Sequence, residues 1–168
     1  MPESDVLQIL LAHDRWATDQ LLDACAKLPP DQFHQAFDIG PGSLHDTLTH
    51  VVSAMRTWTD TLTGGEIRPR PDADGQRRTP EQIRALHVEA CAQLADEARR
   101  RPLGEVVTRT LRTGRTVSLT RAEVITHVTT HGMHHRAQAL NMLRRLGVNP
   151  LPPSSVTEWT WHAGPAVR

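Results

Sequence analysis

The apolar positions of the chain fall into four helical stripes. In the first, Leu7, Leu10, Leu11, Ala17, Leu21, Cys25 and Leu28 recur at steps of three and four, one face of an amphipathic helix from about Glu3 to Lys27. Pro29-Pro30 ends it. The second stripe is Leu44, Leu48, Val51, Val52, Met55 and Leu62. It is introduced by Ser43 and Asp46 in the S-x-x-D form of a capping box and closed by Gly64-Gly65. The third opens with Thr79-Pro80-Glu81-Gln82, a cap residue, a first-turn proline and a box-completing glutamine. Its stripe is Ile83, Leu86, Ala90, Leu94 and Ala98. The fourth starts at Thr120-Arg121-Ala122-Glu123, another capping box, and runs to about Leu146, before Gly147 and Pro150.

The connections are equally legible. Residues 65–78, GEIRPRPDADGQRR, have no periodicity and predict an exposed, mobile loop. Residues 105–119 alternate Val, Thr and Leu around Thr113-Gly114 and predict a small β-hairpin. The tail after Pro150 carries Trp159 and Trp161, which either pack back on the body or join an interface. Four amphipathic helices and one hairpin before the last of them predict an all-α fold, a four-helix bundle, in one domain over residues 1–168. The two long connections leave the helix order open.

Composition narrows the function classes. Nineteen basic and nineteen acidic side chains cancel, so no overall field draws the chain to nucleic acid or an anionic membrane. The basic run Arg99–Arg101 sits at a helix C-terminus, where positive charge suits the dipole. Aromatic residues are only 4% of the chain, which disfavours base-stacking platforms. No apolar run reaches the roughly 20 residues of a membrane helix. The first residues have acids ahead of their apolar positions and no basic n-region, so no secretory signal and a cytoplasmic location are expected. Cys25 and Cys91 are expected to be buried free thiols.

The chemistry lies in histidine: ten in all, four of them between residues 127 and 135. His131 and His135 fall on or beside the apolar stripe Ile125, Val128, Gly132, Ala139, Met142, Leu143 and Leu146. Two imidazoles four residues apart lie one above the other on a helix. Pointing inward, they would each need partners for both ring nitrogens, and a divalent ion satisfies two at once. His127 is poorly placed to join them, because its Cα is about 12 Å from that of His135 along the axis. A third ligand from another helix is required, and His13, Asp14, His45, His50 and His87 are all available.

Three segments together resemble the DinB-like family: His13-Asp14-Arg15-Trp16-Ala17 with Leu21-Leu22; Gly42-Ser43-Leu44-His45-Asp46-Thr47-Leu48-Thr49-His50 with Trp58; and His131-Gly132-Met133-His134-His135-Arg136-Ala137-Gln138. They span about residues 13–150, and the H-x-x-x-H-R-x-Q signature is the most specific part. The resemblance implies up-down-down-up connectivity and a three-histidine metal centre of His50, His131 and His135. One departure is Ala137, where many relatives have glycine. Both residues are small, so close packing there is expected to survive. The remaining histidines carry less weight. His127 and His134 are candidates for proton transfer or lining, His45 is expected to be exposed near its helix start, and His87 is a marginal candidate for the pocket. Asp46 either orients an imidazole or caps its helix, and Arg136 and Gln138 are expected to be structural hydrogen-bonders.

Three neutral imidazoles leave a divalent ion with an open position, the arrangement of catalytic rather than structural sites. Nitrogen donors suit zinc and nickel alike. Relatives of this type include mycothiol-dependent maleylpyruvate isomerases and bacillithiol transferases. The resemblance therefore implies an enzyme that activates a low-molecular-weight thiol against a small electrophilic substrate, working as a homodimer. A metal-dependent hydrolase is a variant of the same chemistry, and a non-catalytic, stress-associated metal- or ligand-binding homodimer is the alternative.

Overall fold

The computed structural model describes residues 5–111 and 113–163. The predicted start of the first helix at Glu3, residue 112 of the hairpin and the last five residues of the tail lie outside that range. Four long helices form the body: α1 (Val6–Cys25), α3 (Leu44–Thr63), α4 (Pro80–Arg100) and α5 (Arg121–Arg145). Two short helices that the periodicity does not predict accompany them, α2 (Pro30–Phe33) and α6 (Val156–His162). Strands β1 (Val106–Thr110) and β2 (Thr116–Thr120) form an antiparallel hairpin before α5, with Val106 opposite Thr120 and Thr110 opposite Thr116. Gly114, at φ +80°, supplies the left-handed residue of its turn. No described helix is long and apolar enough to cross a membrane.

The caps work much as their sequences predict. Thr79 with Gln82 and Thr120 with Glu123 make complete capping boxes. Ser43 Oγ accepts from the Asp46 amide, but the Asp46 carboxylate does not return the bond. It binds His45 instead, whose Nδ1 is 2.8 Å from Asp46 Oδ1.

Cross-helix contacts fix the directions. Asp23 meets Arg84 and Asp19 meets His87, so α1 and α4 are antiparallel. Met55 lies against Cys91 near the middles of α3 and α4, and Arg121 binds carbonyls near the C-termini of both, so these two helices run together. Thr47 reaches Met142, and Leu62 reaches Arg121, so α5 opposes α3. The order is up-down-down-up. Arg121 closes one end: fully buried, it donates Nη1 to the Leu62 carbonyl and Nη2 to the Glu97 carbonyl. One guanidinium thereby satisfies carbonyls in the last turns of two helices.

The apolar stripes meet in one core containing Leu21, Leu48, Val52, Leu94, Val128 and Leu143. The first turns of α1 depart from the pattern, since Leu10 is 38% exposed. Further along α1, Asp14 and Thr18 are buried among the apolar positions. Asp14 is there because it pairs with Arg136 of α5, Oδ1 to Nη1 2.5 Å, with both residues nearly inaccessible. Gly132, one turn before Arg136, makes room: a Cβ there would stand 2.8 Å from Asp14 Oδ1 and 2.9 Å from Arg136 Nη1. Ala137 points away on the exposed side, so the expected tight packing at that position does not occur.

Loss of one partner from a buried ion pair strands the other charge. Arg136→Ala is therefore expected to lower the unfolding free energy by about 3–5 kcal/mol, and Gly132→Ala, by overpacking, by about 1–3 kcal/mol. Urea denaturation of the two variants checks both values, and equality with the wild type would remove the ion pair from the account.

Candidate metal centre

His50 of α3 and His131 and His135 of α5 come together where the antiparallel helices face each other. One ligand nitrogen from each lies within 4.8 Å of the other two. The ring centroids are 4.4 Å apart for His131–His135, 4.7 Å for His50–His135 and 5.1 Å for His50–His131. His131 Nε2 and His135 Nε2 are 3.2 Å apart. Two imidazole nitrogens on one tetrahedral ion, each at about 2.0–2.1 Å, would stand about 3.3 Å apart. The side chains therefore fit a divalent cation without rearrangement of that pair.

The outer nitrogens decide which atoms face inward. His135 Nδ1 donates to Gln138 Oε1 at 2.8 Å, and His50 Nδ1 donates to Asp72 Oδ2 at 2.9 Å. Each bond holds the proton on Nδ1 and leaves the Nε2 lone pair free for a metal. Gln138 is itself held, since its Nε2 donates to His134 Nε2 at 3.0 Å. It also lies against Gly40, where a Cβ would be only 2.2 Å from Gln138 Oε1. The positive φ of Gly40, 56°, and this close approach both call for glycine there.

Asp72 is the residue that periodicity misses. The segment expected to be a mobile loop contains a 3₁₀ turn, Pro71–Ala73, with Pro71 buried against the bundle. Its backbone is tied down by the Asp72 amide donating to Ser53 Oγ. Arg70 grips the Asp72 carboxylate through Nε and Nη2, at 2.9 and 2.5 Å. Burial pushes the Asp72 carboxyl up, but hydrogen bonds from Arg70 and His50 outweigh it and hold it at about 2. It is thus a carboxylate at any physiological pH. The only hint in the sequence is an acid beside prolines in a stretch without periodicity.

The other sequence candidates go elsewhere. His13 Nε2 donates to the Ser154 carbonyl, and Asp14 is held by Arg136. His45 is buried rather than exposed: its Nε2 accepts from the Arg78 amide while Nδ1 faces Asp46. Asp46 therefore orients His45, not His50. His87 is fully buried between Asp19 and Cys91, away from the three-histidine group. His127 is exposed at the edge of the site, 5.5 Å from His131 and edge-on to Trp58 at 4.9 Å. The hairpin reaches this edge as well, placing the Arg109 guanidinium 5.0 Å over the Trp58 ring.

Comparison with known proteins agrees with the fold. A model of the DinB family matches residues 1–162. The chain belongs to the DinB family. Its fold is similar to the crystal structure of a DinB-like protein, YjoA, from Bacillus subtilis, with a TM-score of 0.61 at 15% identity. That alignment covers 87% of this chain and 97% of the other. A search of curated proteins finds no match.

Electrostatics leave the three-histidine group suited to a cation. Burial, and then the neighbouring His135 and His50, push His131 down to about 4. Burial also lowers His135, although its bond to Gln138 opposes the shift. At neutral pH both rings are neutral donors of lone pairs.

Two outcomes follow from these partners. Asp72→Ala is expected to weaken binding of a divalent ion about 10- to 100-fold, measured by competition with a chromophoric chelator. The second concerns pH. A histidine with a folded pKa near 4 instead of 6.5 stabilises the fold fully above pH 6.5, and that contribution is lost as pH falls towards 4, because the unfolded chain takes the proton first. Denaturation of the metal-free protein between pH 7.5 and 4 should show this fall, and His131→Gln should flatten it.

Proposed function

We propose that the chain is a metal-dependent enzyme that uses His50, His131 and His135 to hold one divalent ion and acts on a small electrophilic substrate with a low-molecular-weight thiol. The observation that carries this reading is the convergence of three imidazoles, two of which, His50 and His135, have their outer nitrogens tied to Asp72 and Gln138. An ion held by three neutral imidazoles retains its charge and an open position, and lowers the pKa of a thiol or water bound there. Zinc and nickel both suit the nitrogen donors.

The surrounding side chains divide the remaining work. Asp72 and Gln138 fix the tautomers and orientations of His50 and His135. His134 accepts a hydrogen bond from Gln138, so it acts as a positioning residue at one remove from the ion. His127 is the better proton acceptor of the two. Its ring is partly open next to His131, and partial burial lowers its pKa, so it is neutral and able to take a proton at neutral pH. Trp58, with Arg109 stacked on it, forms an aromatic wall beside His127. This wall suits a planar or anionic electrophile. A cytoplasmic homodimer is the setting in which we place this activity.

The test is thiol-dependent turnover by protein loaded with zinc or nickel, using a panel of bacterial thiols and a chromogenic electrophile. The wild type is expected to exceed the His50→Ala, His131→Ala double variant by at least about a hundredfold, and His127→Ala should lose about 10²–10⁴-fold while retaining the metal. Equal rates in wild type and double variant would overturn the enzymatic reading and leave a metal- or ligand-binding bundle.

A further inference from the structure

A second set of reactive groups lies between α1 and α4, remote in sequence and in partners from the three-histidine centre. Cys91 Sγ is 3.2 Å from His87 Nε2, one helical turn earlier, and His87 Nδ1 is 3.3 Å from Asp19 Oδ1 on α1. His87 has no exposed surface. Its Nδ1 proton goes to the Asp19 carboxylate, so the Nε2 lone pair faces the thiol. Thiol, imidazole and carboxylate thus stand in the order of an activated nucleophile, its base and the group that orients the base. Helical spacing explains the first contact, since residues four apart share a face. The antiparallel packing of α1 supplies the second.

This array borders a space that a ligand can enter. Cys91 lines a cavity of about 400 Å³, walled by Leu11, Ala12, Trp16, Ala95 and Trp159. The volume suits a small molecule, and the walls are chiefly apolar and aromatic. Trp159 belongs to α6, so the tail helix completes the cavity rather than merely covering α1.

We propose that Cys91, His87 and Asp19 form a metal-independent nucleophilic site that captures small apolar electrophiles with an activated carbon–carbon double bond, as thioethers. In the addition, the Cys91 S–H bond breaks and its proton passes to His87 Nε2. The sulfur electron pair forms a C–S bond at the β-carbon, and the π pair of the double bond moves to the α-carbon. His87 then returns the proton to that carbon. No oxidant, reductant or leaving group is needed.

Cys25 is an internal reference. Burial pushes both thiols up to about 12, yet only Cys91 has an imidazole against its sulfur among the described contacts. A thiol held neutral by burial reacts at neutral pH when a base removes its proton during attack. The charged groups facing the array are Asp14, Arg15 and Asp19 of α1, Arg84 of α4 and Arg136 of α5. The α3 side presents uncharged Met55, with Sδ 3.8 Å from Cys91.

The test is labelling of the folded, full-length, metal-loaded protein with N-ethylmaleimide, followed at each cysteine by peptide mass spectrometry. Cys91 should react at least about tenfold faster than Cys25 at pH 7, and His87→Asn should remove at least about tenfold of that rate. Asp19→Asn keeps the ring in place and should slow labelling without unfolding the helix pair, which covers the case in which His87→Asn does not fold. His131→Ala should leave the Cys91 rate unchanged, separating this site from the metal-dependent activity. Cys91 labelling no faster than Cys25, or labelling undiminished in both His87→Asn and Asp19→Asn, would each overturn the proposal.

Discussion

The rotation of α5 is the constraint on which the candidate centre depends. A helix presents a new direction every residue, so His131 and His135 face α3 only if α5 is held at one angle about its axis. Arg136 does this. Buried beside His135, it reaches across to the Asp14 carboxylate, and Gly132 leaves the space for that contact. Hydrophobic packing along α5 would tolerate some rotation, because Val128, Ala139 and Leu143 are apolar and non-directional contacts. An ion pair with the guanidinium aimed at one carboxylate does not. Burying two charges costs solvation, and the return in this bundle is a fixed register between the first and last helices.

From that fixed helix outward, the centre is built by a hydrogen bond from Gln138 of α5, which a loop packs against, and by one from a second loop. Gln138 is packed against the backbone of Gly40, and Asp72 comes from a turn anchored on Ser53 and Arg70. Both loops therefore have structural tasks at the back of the histidine rings. Each task is to hold a proton on Nδ1, which makes the opposite nitrogen a lone-pair donor. The segment from 65 to 78, rich in proline, arginine and aspartate, looks like a solvated connection until its place beside His50 is known.

Histidine illustrates how environment assigns chemistry to one side chain. Where three imidazoles face one another, with the outer nitrogens of His50 and His135 occupied, they suit a cation. Where a single imidazole lies between a carboxylate and a thiol, it suits proton transfer. Where His45 sits between Asp46 and the Arg78 amide, both nitrogens are used in tying the start of α3 to the start of α4. All three occur within one small bundle, and none of these roles follows from the residue type alone.

By itself the sequence determined the four long helices, their caps, the hairpin and the stripe that sends His131 and His135 inward. These are local properties, set by periods of 3.6 and 2 residues and by cap chemistry within a few positions. The resemblance carried by the histidine segments added His50 and the helix order. Tertiary structure alone decided that Asp72 and Gln138 are the partners of His50 and His135, that His45 is buried, and that His87 meets Cys91 and Asp19. Each of those contacts except the i, i+3 bond of Gln138 and the i, i+4 contact of Cys91 joins residues distant in the chain, whose proximity depends on how the helices pack and where the loops return. Periodicity carries no information on that. Even the two local contacts acquire their chemistry only when Gly40 and Asp19 arrive from other parts of the fold.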